Sequence, residues 1–441
     1  MRKITRKIYR WIGGRRTLAR IQRRLRWLYP GMGVKRWILL SLLGAVLFCG
    51  GIILLFELRL VDALGWTIKQ FYLFTGKLLP TRWAGVGLLF VGTAILVIAI
   101  QRAIKGILVN VKTPRDKSLS DVIYNRKLLS SGPKIVTIGG GTGLSTILRG
   151  LKEFTSNITA IVTVTDEGGS SGRLRKDYDI PPPGDIRNCL VALAECEPYM
   201  QNLFQFRFEK GEGLKGHSLG NLLITAMTRI TGDFEKGIEQ ISEILAVRGR
   251  VLPSTKERIK LKAEMEDGEI VAGETNIVSY GKRIKRLFIE PSASLLPEAE
   301  EAIRSADLIV IGPGSLYTSL LSNLLIEGMV EALESSRAKK VYICNLMTEK
   351  GETDGFKASD HIKAIKETIG KIPFQYVIIN TARPRPEILE RYKEEGAEFV
   401  EPDIEELRKM RLRVIAQPLM RQLLPLRHDN RKLAQILISL C

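Results

Sequence analysis

The residues able to do chemistry in this 441-residue chain gather in glycine-rich turns that follow short apolar runs. The first is Ile135-Val-Thr-Ile-Gly139-Gly140-Gly141-Thr142-Gly143, followed by an amphipathic stretch from Leu144 to Phe154. A β-branched run ending in glycines, then a helical period, predicts strand, tight turn and helix. Glycines there reach positive φ and lack a Cβ, so a ligand can approach the backbone closely. The helix start adds free N–H groups and the positive end of its dipole. Together these predict a phosphate site.

The same pattern recurs along the chain. A second strand, Ile158 to Thr165, leads into Asp166-Glu167-Gly168-Gly169-Ser170-Ser171-Gly172-Arg173. Two such loops in one βαβ unit leave the carboxyl edge of a parallel sheet, where ligands of open sheets bind. Gly312-Pro-Gly314-Ser315 ends a buried run at Ile311, and hydroxyls follow at Thr318 and Ser319. The strands Lys340 to Asn345 and Phe374 to Asn380 end in asparagine. At least five strand ends thus deliver Gly, Asn, Ser or Thr to one edge.

Other candidates admit two readings each. Gly184-Asp185-Ile-Arg187-Asn188 opens an apolar helix; it is either a cap with an ion pair or part of the site. His217 alone would be a structural hydrogen-bonder, but beside Ser218 and Asn221 it becomes a phosphate or sugar contact. Arg427-His428-Asp429 precedes a final amphipathic helix from Lys432 to Leu440. It is an N-cap through Asp429 or Asn430, or an Arg–His pair gripping phosphate. Leu252 to Phe288 alternates in short segments, which predicts strands of a small subsidiary sheet. A Ser–His hydrolase lacks the strand–GxSxG–helix context. A dehydrogenase lacks the third fingerprint glycine after Gly139 and Gly141.

The net charge of +20 is localised. Residues 1–36 hold thirteen Lys and Arg and no acid, so most of the excess belongs to one arm. Nucleic acid is therefore not expected as a partner. Trp37 to Phe56 and Trp83 to Ile100 are free of charge and of membrane-spanning length. Basic residues flank their outer ends, and the positive-inside rule puts both termini in the cytoplasm. The expectation is a cell-membrane protein with two spans, its basic arm drawn to anionic lipid. Five scattered cysteines without a CxxC pair exclude a disulfide framework or a thiolate zinc site. The expected organisation is a basic arm (1–36), a transmembrane hairpin (37–102), a linker (103–132) and a nucleotide-binding domain (133–441).

Ile138-Gly-Gly-Gly-Thr-Gly-Leu144, Thr165-Asp-Glu-Gly-Gly-Ser-Ser-Gly-Arg-Leu-Arg175, Pro182-Pro-Gly-Asp-Ile-Arg-Asn188, Gly216-His-Ser-Leu-Gly-Asn221, Gly312-Pro-Gly-Ser-Leu-Tyr-Thr-Ser319 and Cys344-Asn-Leu-Met-Thr-Glu-Lys-Gly-Glu-Thr-Asp354 occur in this order. This set resembles the gluconeogenesis factor (YvcK-like) family, related to the 2-phospho-L-lactate transferases (CofD). The resemblance implies a Rossmann-like three-layer α/β/α domain with a small subsidiary β region, here preceded by two transmembrane helices. It implies a UDP-sugar ligand such as UDP-N-acetylglucosamine, and a regulatory role in carbon metabolism, cell shape and wall synthesis during gluconeogenic growth.

On that reading Gly139 to Gly143 and Gly312 to Ser315 cradle a diphosphate, and Arg173, Arg187 and Arg427 supply charge. Asn221 and Asn345 fix sugar or base, with Gly168, Gly169, Ser170, Ser171, Asp185, Asn188, His217 and Ser218 completing the site. No catalytic residue is assigned. The alternative is a transferase forming a phosphodiester from a guanylyl-activated donor, with Mg²⁺ on Asp166. The residue after Asp166 is commonly a second Asp in this family and is Glu167 here. Cell-wall or carbon-metabolism proteins are the expected partners, and a homo-oligomer is compatible with the sequence.

Overall fold

The computed structural model describes residues 126–195 and 197–441, with positions 45, 65–66 and 69–74. The chain divides into two compact units, Met1–Lys127 and Leu128–Cys441. Apart from position 45, both stretches read as membrane spans lie outside the described residues. Among the described residues no helix is long and apolar enough to cross a membrane.

The second unit is built on seven parallel strands. In chain order the elements are β1 (Ile135–Gly139), α1 (Gly141–Leu151), β2 (Ile158–Val162), α2 (Gly169–Tyr178), α3 (Gly184–Leu193) and α4 (Glu197–Gln205). Next come α5 (Leu219–Thr231), α6 (Phe234–Ile244), β3 (Arg250–Pro253), β4 (Lys260–Met265), β5 (Ile270–Ala272), α7 (Glu274–Ser279) and β6 (Ile284–Glu290). There follow α8 (Pro297–Arg304), β7 (Leu308–Ile311), a π-helix (Leu316–Leu321) continued by Ser322–Leu324, α9 (Met329–Ser335), β8 (Lys339–Ile343) and α10 (Ala358–Ile369). The chain closes with β9 (Tyr376–Asn380), α11 (Pro386–Glu394), α12 (Ile404–Lys409), β10 (Arg413–Gln417), β11 (Met420–Arg421), β12 (Arg427–His428) and α13 (Asn430–Leu440).

The sheet order is β10-β9-β8-β7-β1-β2-β3. The chain grows outward from β1 through β2 to β3, then returns to β1's other side and grows the opposite way. β1 and β7 are therefore the switch point, paired in register from Ile135 with Leu308 to Ile138 with Ile311. Loops leaving the two strands there diverge and open a crevice.

Strand side chains alternate between two faces, and both faces are covered. Val136, Ile138, Ile309 and Ile311 join the core with α8, α9 and α10. Ile135, Leu308 and Val310 join the core with α1, α3 and α13. That is the three-layer arrangement expected. On α1, Leu144, Ile147, Leu148 and Leu151 are wholly buried at helical spacing. At about 1.5–3 kcal/mol per fully buried aliphatic side chain, this face supplies on the order of 10 kcal/mol before entropic cost. It fixes the helix start on the end of β1.

The subsidiary sheet is present as β5-β4-β6, all antiparallel. Two boundaries differ from the sequence reading. Leu252 lies in β3 and pairs with Ile161 of the main sheet. Gly273 to Ile277, read as strand, turns into α7 because Gly273 sits at φ +94° and breaks the extended run. Residues ahead of β1 also pack on the unit: the Ser156 N–H donates to the Leu129 carbonyl at 2.9 Å.

Candidate functional site

The crevice at the β1/β7 switch point has a volume of about 250 Å³. The loop after β1 forms one wall and Pro313 to Ser315 the other. Asn345 to Glu349 behind β8, Tyr392 on α11, and Leu426 to His428 close it. Gly140 is the N-cap of α1 and has no side chain with which to cap it. Gly141 follows at φ +64°, where a Cβ would be strained. The two loops touch: a Cβ on Gly143 would lie 2.5 Å from the Pro313 carbonyl oxygen. Asn345 holds the second wall, accepting from the Gly314 N–H at 3.3 Å and donating to its carbonyl at 3.0 Å. Arg427, half-buried on β12, reaches in and donates to the Thr142 carbonyl at 3.4 Å.

Carboxylates crowd the same edge. Asp185 on α3 turns its carboxyl toward the Gly141 N–H, and a Cβ on Gly140 would meet its Oδ2 at 2.5 Å. Burial, then the neighbouring Asp166, raises the Asp185 pKa to about 7. Asp166 accepts from the Gly168 N–H at 2.8 Å, and its Oδ2 lies against Gly184 at the start of α3. Glu352 accepts from the Tyr317 N–H at 3.1 Å and the Thr318 hydroxyl at 2.9 Å, holding the first turn of the π-helix. Burial raises Glu352 to about 7 and Glu274 of α7 to about 8. Glu349, in the crevice wall, is raised by burial and eased by the Ser315 hydroxyl.

Among the described residues no three carboxylate, His or Cys groups converge as a metal cage. Mg²⁺, however, usually takes one or two carboxylates and fills its shell with water and phosphate oxygens. Asp166 and Asp185, near enough for the one to disfavour the other's charge, fit such an ion. Glu167 takes no part: its carboxylate is 3.5 Å from Arg175 and otherwise abuts Gly273.

The remaining sequence candidates form a separate cluster. Arg187, buried on α3, donates to the Ser218 hydroxyl at 2.6 Å, Asn221 Oδ1 at 3.0 Å and Asn188 Oδ1 at 3.0 Å. The Asn221 amide donates to Ser170 at 3.1 Å and to Ser171 at 3.4 Å. Ser170 also pairs with His217 Nδ1 at 3.0 Å, and Arg173 donates to the Lys215 carbonyl at 2.9 Å. Ser218 caps α5, accepting from the Asn221 N–H. None of these residues lines the crevice.

Gly140, Gly141, Thr142, Gly143, Gly314, Ser315, Asn345 and Arg427 do line it. Gly139 and Gly312 sit behind the loops: the Asn323 amide donates to the Gly139 carbonyl, and Gly312 packs on Leu320. Asp429 caps α13 by accepting from the Arg431 and Lys432 N–H groups, so the cap reading holds there. His428 is buried and its pKa falls to about 4, so the Arg427–His428 pair carries one charge. Sequence reasoning missed Thr146, Thr348, Glu349, Tyr392, Glu274 and the role of Glu352. Of these, Thr348, Glu349 and Glu352 fall within the motif that follows the Asn345 strand, and the others left no signal.

A sequence profile described as 2-phospho-L-lactate transferase CofD matches residues 135–420. The putative gluconeogenesis factor of Nostoc sp. is 41% identical over 428 residues, 96% of this chain and 94% of that protein. The gluconeogenesis factor of Bacillus subtilis is 52% identical over 310 residues, 70% of this chain and 98% of that protein. A crystal structure of a Bacillus halodurans protein of the UPF0052 family has a TM-score of 0.68 at 51% identity, covering 70% of this chain and 99% of its own. Fold and crevice thus define an α/β protein of the CofD class. Within it, the chain belongs to the gluconeogenesis factor family. The Nostoc alignment runs through most of the N-terminal region, whereas the Bacillus protein matches without it.

Proposed function

We propose that the β1/β7 crevice binds the diphosphate of a UDP-sugar such as UDP-N-acetylglucosamine, and that the protein uses this to regulate carbon metabolism, cell shape and wall synthesis. The observation that carries the reading is the glycine-rich start of α1 lining one crevice with the Pro313–Ser315 wall and Arg427. Backbone N–H groups and one guanidinium suit a diphosphate. The name of the relatives, gluconeogenesis factor, supports the link to carbon metabolism. The two charge-free stretches, 37–56 and 83–100, tether the domain to the cell membrane with both termini in the cytoplasm, and the basic arm lies on anionic lipid. This places the sensor beside the membrane steps of wall synthesis, where its protein partners act.

A second reading is favoured by the Asp166–Asp185 pair. In a transferase of the phospholactate type these carboxylates would hold Mg²⁺, which would stabilise charge on an activated phosphate. The chain's own part would be positioning through the glycine loops. Calorimetry of the full-length protein with UDP-N-acetylglucosamine, GDP and NAD, with mass analysis of each sample, separates the two. Binding of the UDP-sugar with the ligand recovered intact supports the sensor. Preference for GDP, or a new phosphodiester when a deazaflavin alcohol and guanylyl donor are supplied, supports the transferase. No binding by any of the three refutes both.

A further inference from the structure

Arg187 is the one strongly buried guanidinium of the second unit's polar cluster, 8% exposed, and its chemistry is unfinished. All its partners are neutral: Ser218, Asn221 and Asn188. Its Nε has no hydrogen-bond partner. Arg207 stands beside it, bridged antiparallel to Ser218, whose hydroxyl Arg187 binds. Burying a charge without a counter-charge is costly, and an unfilled donor on it adds to the cost. A buried guanidinium with an unfilled Nε and a second guanidinium on the adjoining strand bridge together suit an anion.

The surroundings supply what an anion needs. Helix α2 runs for ten residues from Gly169. Ser170 and Ser171 of its first turn are linked through the Asn221 amide to Arg187. Arg207 and Arg173 hold the opposite loop, donating to the Gly216 and Lys215 carbonyls. Both are exposed, so the cluster is reachable from solvent. His217 is depressed by burial and by Arg173, so it stays neutral and offers Ser170 one nitrogen.

We propose that Ser170, Ser171, Arg173, Arg187, Arg207 and Asn221 form a second oxyanion subsite, apart from the β1/β7 crevice and taking a phosphate-sized group. The domain then reads two ligands, or two ends of one ligand. This inference does not depend on what occupies the crevice.

The test titrates the full-length protein with inorganic phosphate at matched ionic strength, alone and with saturating UDP-N-acetylglucosamine. A phosphate isotherm that persists beside the UDP-sugar, and weakens about tenfold or more in both Arg187→Gln and Arg207→Ala, is the expected result. Arg207 is exposed, so its variant decides the matter should Arg187→Gln fail to fold. The proposal is overturned if phosphate gives no isotherm, if the UDP-sugar abolishes it, or if Arg207→Ala binds phosphate like the parent. An Arg187 that only staples loops would lower thermal stability in Arg187→Gln and leave the phosphate isotherm alone. Absence of heat from the UDP-sugar itself would count against the crevice reading and leave the phosphate titration readable, with Arg427→Ala as background.

Discussion

Asn345 and Gly314 exchange two hydrogen bonds, side-chain amide against backbone, at 3.0 and 3.3 Å. The Asn345 amide thus mimics a strand neighbour for a loop that has left the sheet. It engages both backbone groups of Gly314 and so fixes that residue in the wall. Asn345 therefore positions the wall.

Asn345→Leu removes both bonds and frees the loop. At about 0.5–1.5 kcal/mol per neutral bond, UDP-sugar affinity falls roughly tenfold in calorimetry. Asn345→Asp keeps the acceptor but sets a charge beside the phosphate, so its loss is the larger of the two. Equal affinity in both variants would show that the loop does not bind.

Gly140 is hemmed in by Asp185 Oδ2 at 2.5 Å and Thr163 Cγ2 at 2.8 Å from where a Cβ would stand. Gly140→Ala forces one of them to move. Overpacking of this kind costs about 1–3 kcal/mol, which urea unfolding reads as a lower midpoint. An unchanged midpoint would mean that the Asp185 carboxyl swings away freely.

The glycine loops were readable because each lies within one local run of sequence. Ser218 and Asp429 were legible as helix starts for the same reason: a cap is satisfied by its own helix. What brings Gly143 against Pro313 is the pairing of β1 with β7, across some 170 residues, and no local period encodes it. The separation of Arg187 and Asn221 from the crevice was hidden likewise, since it depends on α3 and α5 packing below the second loop. Glu274 was obscured by an alternating pattern that Gly273 ends. Tyr392 reaches the crevice from α11 and carries no motif at all.

Asp185 sits at about 7 against an ordinary 3.8, and Glu352 at about 7 against 4.5. The folded protein therefore keeps protons that the unfolded chain has released. Stability from these groups is fully present below their unfolded values and is lost as pH rises through about 7. Urea midpoints measured across that window should fall with rising pH, and Asp185→Asn should flatten the slope. A midpoint that climbs over the same window would contradict the burial of these acids.

Magnesium should act on the same pair. An ion between Asp166 and Asp185 favours both carboxylates ionised, so it raises the thermal midpoint most at neutral and higher pH. Asp166→Asn should erase that increment, as should a chelator. An increment that survives in the variant would place the ion elsewhere.

The central claim is that a nucleotide sugar lies between the β1 and β7 loops. Photolabelling of the full-length protein with an azido-uridine analogue of UDP-N-acetylglucosamine, followed by peptide mapping, tests it most directly. The account predicts label within 140–146, 313–319, 345–349 or 392–428, protected by unlabelled UDP-sugar and lost in Arg427→Ala. Protected label confined to the cleft between Tyr178 and Arg258, at the C-terminal end of α2, would contradict it.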